Sequence, residues 1–207
     1  MANQTRRLLW PIAGMVTLAI VLQVFSLLTV VESDAIADRS RQYVAVAADQ
    51  RTTAEQFESA TYLALVGLAT ADWELLVRQR TTAQTLAGRF VDANTAMLQG
   101  GQARTGDVLV TLRGVEEPEV REALTSARAL WEETYEAHLR LLRSDNHSLK
   151  DNPDVEHFRA ASSRLTRALG DVSVLLQRRA QVETSRLTAV HRLSPIGLFL
   201  LMLGSAA

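Results

Sequence analysis

The chain has 207 residues, a formal net charge of −1 and no cysteine. The length allows one domain with a sizeable core, and the balanced charge gives no reason to expect nucleic-acid binding. The lack of cysteine excludes disulfides and thiolate chemistry. Lys150 is the single lysine among the 22 basic residues; the rest are arginines, which offer a planar fork of donors to anions.

The first predicted element is a membrane-spanning helix at Leu8–Val31, preceded by a cytoplasmic N-terminus at residues 1–7. The run has 24 residues without a charge. As a helix it measures about 36 Å, enough to cross a bilayer with some tilt. Arg6 and Arg7 precede the run, and acidic residues begin at Glu32. The positive-inside rule therefore places the N-terminus in the cytoplasm and the following domain outside.

A cleaved signal peptide is the alternative interpretation of the same run. The tripeptide Ala35–Ala37 resembles a cleavage site, and cleavage there would release a secreted helical bundle. Signal peptides have apolar regions of about 7–15 residues, and this run is longer. The length therefore favours an uncleaved anchor.

Residues 32–192 are predicted to form an extracytoplasmic domain of four helices, because apolar residues recur at spacings of three and four. The first helix, about Ser33–Leu68, continues directly from the membrane helix, since no Gly or Pro interrupts it. One face of this helix, here named the seam, consists of Ile36, Ser40, Tyr43, Ala47, Gln50, Ala54, Phe57, Thr61, Ala64 and Leu68. The small seam residues Ala47 and Ala54 are predicted to allow close approach of a second copy.

The second helix is predicted at about Ala71–Leu98, with Thr70 as its N-cap. The adjacent glycines within Gln99–Gly106 end this helix, and Val108–Leu112 is expected to be extended. The apolar stripe of the helix is Trp73, Leu76, Ala83, Leu86, Phe90 and Met97.

The third helix is predicted to start near Pro118, a favourable first-turn residue. A polar turn at Ser144–Asp154 follows, in which Asn152 caps the fourth helix and Pro153 begins it. The apolar face of the third helix is Val120, Leu124, Ala127, Trp131, Tyr135, His138 and Leu142. The apolar face of the fourth is Phe158, Leu165, Leu169, Val172, Leu176, Leu187 and Val190.

The last predicted element is the truncated start of a second membrane helix at residues 193–207. This run has 15 residues without a charge, whereas a spanning helix needs about 20. Four long amphipathic segments with short links predict an all-α fold, an antiparallel up-down four-helix bundle between the two membrane segments. An even number of helices returns the chain to the membrane side where the domain begins, which agrees with a second anchor.

The stretch AMLQGGQARTGDVLVTLRGVEEPEVREALTSARALWEETYEAHLRLL, residues 96–142, resembles the sensor region of type IV pilus methyl-accepting chemotaxis transducers and related nitrate/nitrite sensor histidine kinases. The shared features are the pair Gly100 and Gly101, a short extended connector and a Trp midway along the third helix, here Trp131. The resemblance covers most of residues 32–192. It implies the ligand-sensing input region of a bacterial transmembrane receptor in the cytoplasmic membrane, with a cytoplasmic output module.

The resemblance also implies an anion site at a dimer axis, formed by an Arg-rich stretch of the first outer helix. In the matching stretch, IADRSRQYVAVAADQR, the two basic positions are Arg39 and Arg41, while Asp38 replaces the usual Gly and Ser40 the usual Gln. Arg39 lies three residues after Ile36 and four before Tyr43, which places it on the seam side of the helix, so a parallel homodimer would bring two guanidinium groups to one small oxyanion. Arg41 lies off the seam, and the acidic Asp38 would oppose an anion. The alternative is that Arg39 pairs with neighbouring aspartates or contacts lipid headgroups.

The sequence contains no nucleophile–base arrangement, phosphate loop or metal motif, so we predict no catalytic residue, metal or cofactor. His138 is expected to be a buried polar residue, and His147 and His157 flank a loop without a recognised metal spacing. The expected partners are membrane lipid, a second copy of the chain and a small oxyanion. The alternative function is a membrane-anchored helical scaffold that does not signal.

Overall fold

The structure, a computed structural model, describes the backbone of residues 2–144 and 148–204. Side chains are described throughout 35–144 and 148–185, and at a few positions nearer the N-terminus. The chain divides into two units, a larger one of residues 40–179 and a second one made of the remaining N- and C-terminal residues.

Within these described residues the chain is mostly helical, with four helices and one two-stranded sheet. The elements in chain order are α1 (Ala2–Thr70), α2 (Trp73–Gln99), β1 (Gly100–Thr105), β2 (Val108–Arg113), α3 (Pro118–Arg143) and α4 (Pro153–Gly204). The prediction of a mainly helical chain with four helices is confirmed. The all-α prediction holds in part, because a small two-stranded sheet joins α2 to α3 in this otherwise helical chain.

β1 and β2 form a hairpin and pair antiparallel along their whole length. The extended segment predicted at Val108–Leu112 is confirmed as part of β2. The partner strand escapes prediction because its sequence, GGQART, is poor in the β-branched and aromatic residues that favour strands. Gly106, with a φ of +56°, lies in the two-residue turn, where a positive φ matches the twist of paired strands. At Gly100 a Cβ would lie 3.0 Å from the Gly114 nitrogen, so the hairpin base requires glycine.

A two-residue turn joins α1 to α2. The backbone N–H of Asp72 donates to the Gly67 carbonyl oxygen at 2.9 Å, and Ala71 has a φ of +56°, which is typical of the left-handed end of a helix. Asp72 is also the N-cap of α2, because its carboxylate accepts from the Leu75 backbone nitrogen at 2.9 Å. The predicted cap, Thr70, is wrong: its hydroxyl donates to a carbonyl oxygen one turn earlier in α1.

α3 and α4 begin at the predicted residues. Pro118 is the first residue of α3 and Pro153 is the first of α4, and proline suits this position because its missing N–H is not needed there. Asn152 caps α4, since its Oδ1 accepts from the Asp154 backbone nitrogen at 2.9 Å. The cap residue and the two prolines therefore define these helix starts from local sequence alone.

Residues 40–179 contain one hydrophobic core, to which all four helices contribute. The seam of α1 faces this core: the side chains at most 4% exposed include Tyr43, Ala47, Gln50, Ala54, Phe57, Thr61 and Ala64. The prediction that Ala47 and Ala54 face a second copy is therefore wrong. Small residues permit close approach of any helix, and periodicity does not distinguish a helix of the same chain from one of a second copy.

Most residues predicted on the faces of α2, α3 and α4 contribute to this core, with two exceptions: Leu142 is half-buried, with its neighbour Leu141 in the core instead, and Trp73 is exposed. Trp73 is 67% exposed, so its assignment to the core is wrong. Trp73 is the first residue of α2, directly after the turn, and no described element covers its ring. Leu187 and Val190, predicted on the face of α4, lie outside the described side chains.

Contacts between helices give the direction of neighbouring pairs within the larger unit. Gln50 of α1 donates from Nε2 to the Phe90 carbonyl oxygen of α2 at 3.3 Å. Further along α1, a Cβ on Gly67 would lie 2.9 Å from the Leu76 nitrogen, near the start of α2. Residues later in α1 contact residues earlier in α2, so the two helices are antiparallel. The same relation holds for α2 with α3 and for α3 with α4, from the pairs Phe90–Trp131, Asn94–Leu124, Arg164–Glu133 and Arg179–Glu117.

In the part of the chain that the structure describes, no helix is both long enough and apolar enough to cross a membrane. Most side chains of Leu8–Val31 and all those of residues 193–207 lie outside the described ones. Large aliphatic side chains described in the first run are each 54–64% exposed: Ile20, Val21, Val24, Leu27, Leu28 and Val31.

Candidate functional site

The two predicted anion-binding residues, Arg39 and Arg41, both lie on α1. Arg39 is half-buried and Arg41 is exposed, as its position off the seam predicts, while Ser40 between them is buried. Two positions along a helix correspond to about 200° of rotation, so the two arginines leave α1 on different sides. Among the described side chains neither takes part in an ion pair. One chain alone therefore does not form a two-arginine clamp, and anion binding by Arg39 stays a prediction.

Trp131 and Phe57 lie at the centre of the aromatic core of the larger unit. The Trp131 ring stacks on Phe90 of α2 with centroids 4.1 Å apart and an interplanar angle of 11°. It also meets Phe57 of α1 at 4.8 Å, and Phe57 meets Phe158 of α4 at 6.4 Å. The predicted core positions Trp131 and Phe90 are confirmed at 2% and 1% exposure. These rings connect all four helices, so a change in one helix position affects the packing of the others.

His138 is buried beside this aromatic core, as predicted. Its Nδ1 lies 2.8 Å from the Thr61 hydroxyl oxygen. The Thr61 hydroxyl donates its single proton to the Phe57 carbonyl oxygen at 2.8 Å, so it accepts a hydrogen bond from His138. This assigns the proton of the neutral ring to Nδ1.

Burial, together with the smaller effect of the positive charge of Arg80, lowers the pKa of His138 to about 4. The imidazole is consequently neutral at pH 7. A neutral buried ring with a satisfied Nδ1 contributes to packing and hydrogen bonding in the core. Among the described residues no group of three or more His, Cys, Asp or Glu could hold a metal ion. His157 is exposed and His147 lies outside the described residues.

An aspartate fastens the hairpin to α1 and α2. Asp49 Oδ1 accepts from the Gly106 backbone nitrogen in the hairpin turn at 3.1 Å, and Asp49 Oδ2 lies 3.5 Å from Nη2 of Arg89 in α2. At the other end of the hairpin the Tyr43 hydroxyl donates to the Arg113 carbonyl oxygen. The hairpin is therefore held at both ends by α1 side chains.

An open groove of about 600 Å³ lies between α2 and α3. Tyr135, which is half-buried, contributes accessible aromatic surface to it, whereas Trp131 borders it with only 2% of its surface exposed, and Gly88 and Val91 line the α2 side. Its three carboxylates are those of Asp92, Glu132 and Glu136. The sequence offers one signal for this groove: an isolated glycine inside a helical pattern, here Gly88, often has a packing or functional reason.

No protein-family model, curated protein or solved structure matches this chain. The resemblance to bacterial sensor regions therefore rests on the residues quoted above, and the arrangement of side chains carries the functional argument.

Proposed function

We propose that this chain is the ligand-sensing input region of a bacterial transmembrane receptor. In this proposal residues 32–192 form an antiparallel up-down four-helix bundle outside the cytoplasm, between membrane segments at Leu8–Val31 and residues 193–207. The N-terminus lies in the cytoplasm, and the output module acts on the cytoplasmic side of the inner membrane.

The observation that carries the proposal is the division of α1 into two kinds of surface. The uncharged run has large aliphatic side chains that are more than half exposed, among them Leu27 and Leu28 at 64% and 63%. Leaving such a side chain in water instead of an apolar environment costs about 1.5–3 kcal/mol. A bilayer removes this cost for the whole run. The later part of the same helix, from Tyr43 onwards, supplies the core of the larger unit.

The direction of the helix pairs supports the same arrangement. Successive helices α1 to α4 are antiparallel neighbours within residues 40–179, as an up-down bundle requires. After an even number of helices the chain returns to the end where it entered. The uncharged run at residues 193–207 stands where this topology calls for a second membrane segment.

The transmission of a signal would use α1 and α4, because both contain core residues and an uncharged run. A ligand that favours one packing of the bundle shifts these helices by a small slide or rotation, a recognised form of signalling movement. The aromatic contacts of Phe57 link α1 to α3 and α4, and the stack of Trp131 on Phe90 links α3 to α2, so the four helices would respond as one packed unit.

The proposed ligand is a small oxyanion held between two copies of Arg39 in a parallel homodimer. Ala47 and Ala54 are buried inside one chain, so the contact between copies has to involve other residues of α1. Arg39 is half-buried and makes no ion pair among the described side chains, which leaves its donors available to an anion. Two guanidinium groups that would repel each other are brought together by a shared anion.

Sedimentation equilibrium of the full chain in a density-matched detergent tests this proposal. With nitrate at ten times its Kd and one anion bound per dimer, the dimer association constant rises about tenfold. Chloride at the same ionic strength serves as the control anion. Arg39→Ala should abolish the nitrate effect, whereas Arg41→Ala, which removes an exposed charge two residues away, should retain it. A parent chain whose association is unchanged by nitrate would remove the oxyanion from the proposal and favour the scaffold.

A further inference from the structure

We propose that the groove between α2 and α3 binds a small organic cation, an ammonium group carried on an apolar or aromatic body. This site lies wholly within residues 40–179 and is distinct from Arg39. The ligand is opposite in charge to the oxyanion considered above.

The groove passes residue 88, which has no side chain. Gly88 is exposed, and a Cβ placed there would meet no heavy atom within 4 Å. Glycine inside a helix costs about 1 kcal/mol relative to alanine. No positive φ or close backbone contact at Gly88 requires it, in contrast to Gly67. Glycine at this position leaves the α2 side of the groove without a side chain, opposite the half-buried Tyr135 of α3.

The aromatic side chains of the groove are held in place by other rings of the core. Trp131 is fixed by its stack on Phe90, and Tyr135 lies 5.9 Å from His138 with an interplanar angle of 25°. His138 is neutral, so its own ring adds no positive charge beside Tyr135. An ammonium within about 6 Å of an aromatic ring is attracted by its π-face.

The polar groups of the groove select positive charge. Asp92 of α2 and Glu132 and Glu136 of α3 are all exposed, and none of the described residues lining the groove is basic. Among them only Glu132 makes an ion pair, with Arg128 one turn earlier at 3.3 Å. That pair is largely exposed, and such pairs contribute little. The carboxylates of Asp92 and Glu136 can therefore accept charge-assisted hydrogen bonds from an ammonium.

The size of the groove suits a small molecule. A volume of about 600 Å³ lies within the range of about 300–1,000 Å³ that is usual for ligand sites. One side of the groove is open to water, which limits how much of a ligand is buried. We therefore expect a Kd between about 10 µM and 1 mM, with the aromatic body against the Tyr135 ring and the ammonium at the carboxylates.

Isothermal titration calorimetry of the purified full chain tests the proposal with three probes of similar shape. Phenethylamine is the cation, 2-phenylethanol the neutral analogue and 3-phenylpropionate the anion. We expect phenethylamine to bind about tenfold more tightly than the alcohol, because charge-assisted hydrogen bonds are about twice as strong as neutral ones. The carboxylate should not bind.

Two variants locate the site. Gly88→Leu places a side chain in the groove and should abolish phenethylamine binding, while a thermal melt shows that the variant remains folded. Glu136→Gln removes one carboxylate charge and should weaken binding about threefold to tenfold. Glu122→Gln is the matched control, because Glu122 is exposed on the same helix but does not line the groove.

Three results would overturn the proposal: no phenethylamine binding up to about 10 mM, equal affinity for the alcohol and the amine, or a folded Gly88→Leu variant with unchanged affinity. Because binding is measured on the purified chain, these results are independent of the membrane topology and of nitrate. Failure of the groove proposal would leave the sensor proposal standing, and the reverse also holds.

Discussion

The replacement of Trp131 by alanine is the sharpest test of the aromatic core, because the chain contains a matched control. Trp131 is 2% exposed, whereas Trp73 is 67% exposed at the first position of α2. Both tryptophans lie in helices, so Trp131→Ala and Trp73→Ala remove the same atoms from a helical backbone. The difference between the two variants isolates the contribution of burial.

The magnitude follows from the contacts of the ring. A buried Trp removes about 200 Å² from water, which at about 25 cal/mol per Å² corresponds to roughly 5 kcal/mol. The Trp131→Ala variant also loses the ring stack on Phe90 and the ring contact with Phe57, whose centroids lie 4.1 Å and 4.8 Å from that of Trp131. The adjacent groove admits water and lets the site relax, so we expect a loss of about 3–5 kcal/mol in unfolding free energy. Trp73→Ala should change it by less than about 0.5 kcal/mol.

Thermal melts of the full chain, followed by circular dichroism at the helical band, measure both variants under the same detergent conditions. For a chain of this length each kcal/mol moves the Tm by about 2–4 °C. Trp131→Ala should therefore lower the Tm by about 6–20 °C, and Trp73→Ala by at most about 2 °C. Equal shifts for the two variants would refute the assignment of Trp131 to the core.

Three further predictions concern glycine, pH and processing. Gly67→Ala should lower the free energy of unfolding, because the added Cβ would lie 2.9 Å from the Leu76 nitrogen. Gly88→Ala should raise it by up to about 1 kcal/mol. Urea unfolding of both variants measures these two opposite changes. The pKa of His138 is lowered to about 4 in the fold from its ordinary 6.5, so the unfolded chain binds the proton more tightly. The free energy of unfolding should therefore fall by up to about 3 kcal/mol as the pH is lowered from 6.5 towards 4. In the same urea assay His138→Asn should not show this decrease. Intact mass of the chain isolated from bacterial membranes should match an uncleaved N-terminus; a mass beginning at Asp38 would support the signal-peptide alternative.

Local signals in the sequence were sufficient for the positions of most helices. Pro118, Asn152 and Pro153 act through backbone chemistry that does not depend on distant residues, so the starts of α3 and α4 follow from them. The cap of α2 is an exception: Thr70 and Asp72 are both good cap residues, and the choice between them depends on where the α1 backbone turns at Ala71.

Properties that depend on long-range packing could not be predicted in the same way. β1 forms because a good strand, Val108–Arg113, lies opposite a flexible GGQART segment and because Asp49 binds the turn between them. The burial of Ala47 and Ala54 inside one chain depends on which helix approaches them. Periodicity identifies an apolar face without identifying what covers it.

The same difference between local sequence signals and long-range packing applies to the candidate sites. Arg39 and Arg41 can be identified in the sequence because they match the basic positions of a family that the chain resembles. Anion binding by them would require a second copy of the chain. The groove is visible only after folding, because Gly88, Tyr135 and Glu136 come from two helices. Its carboxylates look like ordinary solvated side chains until an aromatic surface is placed between them.

The central claim is that residues 32–192 lie outside the cytoplasm, and single-cysteine labelling in spheroplasts tests it most directly. The chain has no cysteine of its own, so each variant carries one reactive thiol. Ser163 is exposed on α4, and Thr5 precedes the first uncharged run. A membrane-impermeant maleimide should label Ser163→Cys in intact spheroplasts, and Thr5→Cys only after the membrane is permeabilised. Labelling of Thr5→Cys in intact spheroplasts, with Ser163→Cys protected until permeabilisation, would contradict the proposed topology and with it the sensing function.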